Sequence, residues 1–352
     1  MPAQNRFGTR DLAAPWYAGN PSFMRAALVE PSEVPEGSIA IVGMPFDEYA
    51  TTGGRTGMRW GPRAIRESSL RAIRYYANQT DVGILDIFSG AVSGWPDRLP
   101  VVDSGDAPVI SGDLSAQFDG AVEHVAEVAS RSSLTVTLGG DHYVAYPACA
   151  GVIRGLKTRG TAPTVGYLHL DSHTDFRDKG VYTGSHTQGT CVRRIAELPE
   201  VKKVAWYGLN SGSEPNQFEE MARRGFKAYT SHYVRRVGAA EAMEACLKYV
   251  ASEVDVLYVS VDIDVVTGAD APATGAPVFD GISGSDLLAA ATVFGGQAHL
   301  VGLDMCEVDP EIEGSKRTEY LAAQAILVAL GRRVFKPVAS VPSRELREVF
   351  LI

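Results

Sequence analysis

The feature that most constrains this chain is the recurrence of short, unbroken apolar runs separated by longer amphipathic stretches. The runs include IAIVGMPF (39–46), LTVTLGG (134–140), TVGYLHLD (164–171), KVAWYGLN (203–210), VLYVSVDID (256–264) and HLVGLDM (299–305). They are continuous rather than alternating and rich in Val, Leu, Ile and Tyr, as strands buried on both faces are. Helical stretches lie between them. In 115–130, Phe118, Val122, Val125 and Ala129 share one helical face, and 239–254 and 316–331 have the same character. Strands alternating with helices imply an α/β chain with a parallel sheet and crossover helices on both of its sides. A chain of 352 residues has room for two domains. No repeat, low-complexity tract or composition break divides it, so 37–352 reads as one domain. Residues 1–36, polar and rich in Pro and Gly, read as an N-terminal arm. Residues 80–113 read as a loop or a short β excursion.

Charge and cysteine usage narrow the function classes. The net charge is −9 and the pI about 5.4. No basic excess is available to neutralise phosphates, so nucleic acid is not expected as a partner, whereas a cationic substrate would be attracted. Cys149, Cys191, Cys246 and Cys306 are far apart and form no CxxC pair. They make neither a disulfide framework nor a thiolate zinc site and fit a reducing cytoplasm. The opening residues contain no apolar signal segment, and no run of about 18 apolar residues suggests a membrane span. There is no GxSxG elbow, no GxxxxGK[ST] loop and no GxGxxG after a strand.

The polar residues with chemical potential collect where the apolar runs end. In parallel α/β sheets, ligands bind beyond the carboxyl ends of the strands. Here those ends carry Asp141-His142, Asp171-Ser172-His173-Thr174-Asp175, Asp262-Ile263-Asp264 and Cys306-Glu307. Side chains two apart on an extended segment share a face. Asp171, His173 and Asp175 therefore converge, as do Asp262 and Asp264. With His142 they bring together four carboxylates and two imidazoles, a concentration of charge that would be very costly to bury without cations. Two divalent metal ions resolve that cost. An oxygen-rich set with some imidazole suits Mn²⁺, with Ni²⁺, Co²⁺, Fe²⁺ and Zn²⁺ as alternatives. Each motif alone also fits capping or a glycine turn; it is their joint occurrence, each after a buried-looking strand, that points to metal.

GGDH (139–142), DSHTD (171–175), SVDID (260–264) and GLDMCEVDP (302–310), in this order, resemble the arginase/agmatinase ureohydrolase family, nearer agmatinase-like and guanidino-acid hydrolases than true arginases. The segment GGRTGMRWGPRAIRESS (53–69) is similar to the family's Gly-rich segment near the first strand, and the resemblance spans roughly 38–335. It implies a three-layer α/β/α domain around a mostly parallel eight-stranded sheet. It also implies that His142, Asp171, Asp175 and Asp262 hold one metal and that His173, Asp171, Asp262 and Asp264 hold the other. By the same resemblance Asp175 and Glu307 are catalytic, Glu307 by pairing with the guanidinium group. His186, in GSHTQGTCVRR, takes the place of a proton-shuttling histidine. The implied reaction is hydrolysis of a guanidino carbon–nitrogen bond to urea and an amine, in a homo-oligomer such as a trimer or hexamer.

The chain departs from the family pattern at three places. Tyr143 stands where Ser is common after GGDH, and VVTGADAPATGAP (265–277) lacks the usual Asp-Pro step. Arg177 replaces an expected Asn. If Arg177 faces the pocket, it favours a carboxylate-tailed substrate such as 4-guanidinobutyrate, 3-guanidinopropionate or formiminoglutamate; if it faces away, it says nothing. The departures also suit a compact substrate such as guanidine, guanylurea or a biguanide like metformin. Two competing readings remain at this stage. One is a single-metal deacetylase on a related fold. The other is a non-catalytic subunit of a hetero-oligomer.

Overall fold

The computed structural model describes residues 21–48, 56–77, 84–85, 91–94, 100–110, 112–180, 183–312, 314–334, 336–340 and 348. Twelve strands occur among them: β1 (Ala27–Leu28), β2 (Ile39–Gly43), β3 (Ile84–Leu85), β4 (Ala91–Gly94), β5 (Val101–Asp106), β6 (Leu134–Leu138), β7 (Val165–Leu170), β8 (Val201–Leu209), β9 (Lys227–Thr230), β10 (Val256–Asp262), β11 (Leu300–Cys306) and β12 (Lys336–Ser340). Nine form one sheet in the order β1-β5-β2-β6-β11-β10-β7-β8-β9, with every ladder parallel. β12, β4 and β3 pair antiparallel in a small second sheet.

The helices are α1 (Gly61–Ala77), α2 (Leu114–Ala129), α3 (Ala145–Thr158), α4 (Cys191–Ile195), α5 (Pro215–Arg223), α6 (Ser231–Val237), α7 (Ala239–Val250), α8 (Gly284–Gly295) and α9 (Arg317–Val334). They divide between the two faces of the sheet because successive strand residues point to opposite sides. In β2, Ile39 and Ile41 join a core shared with α1 and α6–α9. Ala40 and Val42 of the same strand join a second core shared with α2–α5. The result is the expected three-layer α/β/α architecture.

All six apolar runs named from the sequence are strands of the large sheet. The expected helices at 115–130, 239–254 and 316–331 correspond to α2, α7 and α9. The sheet has nine strands rather than eight. One of its strands falls in the segment expected as an arm: Phe23 and Met24 are fully buried, and Ala27–Leu28 pairs with β5. Residues 1–20 lie outside the described part. Another, Val101–Asp106, lies inside the stretch read as a loop or β excursion and is an interior strand between β1 and β2.

β5 escapes sequence reading because its second half, Asp103-Ser104-Gly105-Asp106, is polar. Asp103 and Ser104 of that segment are buried, Asp106 is exposed, and both aspartates meet an arginine. Arg66 of α1 contacts Asp103 through Nε at 2.8 Å and Nη2 at 2.9 Å, and Asp106 through Nη1 at 2.6 Å. Asp103 also accepts the Phe23 N–H at 2.8 Å, so one carboxylate fastens α1, β5 and the 3₁₀ turn at 23–25 together. In this chain the second arginine of GPRAIR, Arg66, is thus a structural anchor.

Candidate metal centre

The four central strands, β6, β11, β10 and β7, are neighbours and run parallel, so their carboxyl ends open on one edge of the sheet. After β6 the chain turns through Gly139-Gly140-Asp141 into His142. A Cβ at Gly140 would lie 1.9 Å from the Phe46 carbonyl oxygen, so only glycine passes there. Asp141 caps the turn by accepting the Tyr143 N–H at 3.0 Å. Asp171 and Asp262 use their own carboxylates in the same way, accepting the N–H of His173 at 2.6 Å and of Asp264 at 2.8 Å. These tight turns explain why the charged residues sit at strand ends and point inward.

The structure brings all six expected ligands together, and two imidazoles divide them. His142 Nδ1 lies 2.9 Å from Asp262 Oδ2, 3.1 Å from Asp171 Oδ2 and 3.4 Å from Asp175 Oδ2. His173 Nδ1 lies 3.0 Å from Asp264 Oδ2 and 3.4 Å from Asp171 Oδ1. Asp171 therefore turns one oxygen toward each imidazole, as a carboxylate shared by two cations would.

A buried relay sets the tautomer of His142. Ser260 Oγ donates to Asp304 Oδ1 at 2.7 Å, so at 2.9 Å it accepts from His142 Nε2–H. Nδ1 is left to face carboxylates: without a cation Asp171 and Asp262 draw a proton onto it and, despite burial, raise the imidazole well above its ordinary value, and with a cation it is the nitrogen free to ligate. Among the described residues, His142 Nδ1 and Asp171 Oδ2 are buried without hydrogen-bond partners. Donor atoms converging with nothing between them to donate fit a divalent cation, and oxygen with imidazole is the right donor set. His169, which sequence reading did not single out, stacks on His142 with centroids 4.6 Å apart, and its Nε2 lies 2.8 Å from Asp171 Oδ2. Burial pushes the His169 imidazole down to about 4, so it stays neutral. The alternation that groups Asp171 with His173 reaches back to His169, and it reaches from Asp262 back to Ser260; that signal was present in the sequence.

The electrostatics agree with the donor geometry. Burial, reinforced by the charge of Asp171, raises the carboxyls of Asp175 and Asp264. Burial together with Asp264 and Asp171 lifts Asp262 well above the ordinary range. Burial works against Asp171 too, yet His169, His142 and His173 hold it well below. Apart from Asp171 the carboxyls of the cluster are thus pushed toward the protonated form, and a cation beside them would favour the ionised one.

A cavity of about 270 Å³ opens over the cluster and is lined by His142, His173, Asp175, Asp262, Asp264 and Glu307. Glu307 follows β11, and its Oε1 accepts the His142 N–H at 2.7 Å. Burial, then Asp262 and Asp141, raise its carboxyl well above the usual value. Asp175 and Glu307 have φ values of 45° and 63°, the left-handed region that side-chain-bearing residues rarely adopt and that tends to occur at functional sites. Asp175 is held there by the start of α4. Its carbonyl accepts from Val192 N at 3.1 Å and Arg193 N at 3.4 Å, while the Cys191 thiol lies 3.6 Å from its Oδ2.

The remaining candidates part company. Arg177 does line the cavity, but its guanidinium is paired with Glu214, at 3.0 and 3.3 Å. His186 is exposed and absent from the cavity lining; its Nδ1 meets the Tyr143 hydroxyl instead. Gln188 and Gly189, two and three residues on, line the cavity in its place. The altered loop after Asp264 is anchored through Ala273, whose N–H donates to Thr318 Oγ1 at 3.1 Å and whose carbonyl accepts the Asp309 N–H at 2.9 Å. It contributes Gly275 and Ala276 to the cavity wall.

A family model described as the arginase family matches residues 37–331. The chain belongs to the arginase family. Among relatives in that family, an agmatinase from Bacillus cereus is 27% identical over 293 residues, covering 83% of this chain and 90% of its own length. A guanidinobutyrase from Pseudomonas aeruginosa is 29% identical over 323 residues, covering 89% and 92%. The solved structure of proclavaminate amidino hydrolase from Streptomyces clavuligerus aligns with a TM-score of 0.72 at 27% identity, covering 90% of this chain and 98% of that one. As an arginase-family protein the chain is a metal-dependent hydrolase of amidino carbon–nitrogen bonds. No helix among its described residues is long and apolar enough to cross a membrane.

Proposed function

We propose that this protein hydrolyses a small guanidino compound to urea and an amine, with carboxylate-tailed substrates of the 4-guanidinobutyrate kind favoured. The observation that carries the reading is Asp171, dividing its two oxygens between two imidazoles beside a cavity into which Glu307 also faces. His142, Asp171, Asp175 and Asp262 would hold one cation and His173, Asp171, Asp262 and Asp264 the other, Mn²⁺ first and Ni²⁺ as the alternative. When bound, the pair supplies Lewis acidity, neutralising the buried carboxylates and making water nucleophilic at neutral pH.

The chain's own residues do the rest. Glu307 orients the guanidinium through a charge-assisted hydrogen bond. Its Oε2 is reachable because Gly275 faces it: a Cβ there would already lie 3.3 Å away. Asp175 accepts the proton of the attacking water on its carboxylate and returns it to the departing nitrogen. Arg177, on the cavity wall, meets the far end of the substrate. The Arg177–Glu214 pair also favours a second reading, a compact substrate such as guanidine, guanylurea or a biguanide, because that arginine already has a carboxylate partner. The reading further places the protein in a reducing cytoplasm, consistent with four free cysteines, as a homo-oligomer.

The test is urea release by protein loaded separately with Mn²⁺ and Ni²⁺. The panel is agmatine, arginine, 4-guanidinobutyrate, 3-guanidinopropionate, guanidine, guanylurea and metformin, with formamide release followed for formiminoglutamate. A guanidino acid turned over fastest, and slowed in Arg177→Gln, supports the first reading; a compact substrate unaffected by Arg177→Gln supports the second. Full metal loading with no turnover on any compound would sink both.

A further inference from the structure

Gln188 begins a short turn, 188–190, between the loop that carries His186 and α4. The turn is rigidly held: Thr187 N–H donates to Thr190 Oγ1 at 3.0 Å, and Thr190 N–H donates to the Thr187 carbonyl at 2.9 Å. Arg177 N–H closes on the Gly189 carbonyl at 3.2 Å. Gln188 lines the same cavity as Glu307 and Asp175, and its Oε1 is buried with no hydrogen-bond partner among the described residues. The Gln188 carboxamide thus lies on the cavity wall with an oxygen that the described residues leave without a donor, and a ligand N–H is a group that would satisfy it. A guanidino group supplies that chemistry, since it is a planar array of N–H donors.

We propose that Gln188 is a specificity-determining residue whose side-chain oxygen accepts an N–H of the substrate's amidino group, and that His186 takes no part in the reaction. The inference rests on the guanidino-hydrolase reading and adds a restriction to it. The substrate must present an unsubstituted N–H toward Gln188, so analogues alkylated on that nitrogen are excluded. A site built around a buried hydrogen bond discriminates strongly against a ligand that cannot make it. Because a carboxamide has no proton to give at neutral pH, Gln188 holds the substrate, and the proton of the leaving amine comes from Asp175.

The experiment compares wild type, Gln188→Met, Gln188→Glu and His186→Ala, each loaded with Mn²⁺ and assayed for metal content. Urea release is measured on the best guanidino compound of the panel. Gln188→Met, which keeps the length and loses the acceptor, should raise KM about tenfold at full metal content. Gln188→Glu, which restores an acceptor oxygen, should recover most of that loss, and His186→Ala should stay near wild type. An unchanged KM in Gln188→Met, or an equal loss in His186→Ala, overturns the assignment. If wild type turns over nothing, the proposed reaction fails, and calorimetry with guanidinium chloride decides Gln188 by itself. Binding about tenfold weaker in Gln188→Met sustains it; equal binding in both proteins, or binding in neither, overturns it.

Discussion

Asp171 shows how much a single side chain carries in this site: it faces two imidazoles, accepts a backbone N–H and stays ionised while its neighbours are pushed toward the protonated form. Asp262 stands beside it, and Asp262→Ala should lose metal and urea release together; full metal occupancy measured by elemental analysis in that variant would refute its assignment as a ligand. Glu307→Gln should behave differently. It keeps the shape but gives up the charge, so kcat/KM should fall about 10–100-fold with metal content intact. That the six side chains gather at strand ends was legible in the sequence, but not how: instead of extended alternation the chain uses tight turns, with Asp175 at a φ of 45° and Asp264 inside the 3₁₀ turn Ile263–Val265. Gln188 and His186 were not separable in that way. Both lie in a Gly- and Thr-rich turn without periodicity, and only the folded chain decides which of them enters the cavity. The surroundings of Arg177 were equally illegible, since its partner Glu214 is 37 residues away.

At the scale of elements, α1 and β5 are joined by the ion pairs of Arg66. Removing one partner of a buried pair strands the other charge, so Arg66→Ala should cost about 3–5 kcal/mol in denaturant unfolding. A loss below about 1 kcal/mol would mean that Asp103 finds water instead. α2 adds a pH dependence. Its His124 lies 3.2 Å from Ser104 of β5, and burial lowers its affinity for a proton. The folded state then binds fewer protons than the unfolded one, so this contribution is complete above the unfolded value near 6.5 and is lost as the pH falls below it. Between pH 7 and 5, wild type should lose more stability than His124→Gln in parallel urea melts; equal slopes would contradict this. The strands readable in the sequence were the apolar ones buried on both faces. β5 was hidden by its ion-paired aspartates, and β9 by being a short edge strand of mostly exposed polar residues. Edge strands and salt-bridged strands lack the composition that marks a buried one.

For the whole molecule, a cluster of buried carboxylates makes folding and metal loading interdependent. Anything that binds only the folded state stabilises it. Chelation should therefore lower the melting temperature, and Mn²⁺ added back should restore it; a melting curve indifferent to chelator would argue against a resident metal. The layered architecture was visible in the alternation of runs and helices, whereas the order of strands was not, because pairing is settled by contacts far apart in sequence. That order has a temporal side. β11 comes next to last among the described strands but sits between β6 and β10. Before it emerges, His142 stands on a half-sheet of β1, β5, β2 and β6, while the carboxylates and His173 stand on a half-sheet of β10, β7, β8 and β9. Such distant pairings form late and slowly. On the ribosome, insertion of this one strand would join the halves and bring the ligands together in the same act, so a nascent chain becomes an enzyme only as its last central gap closes.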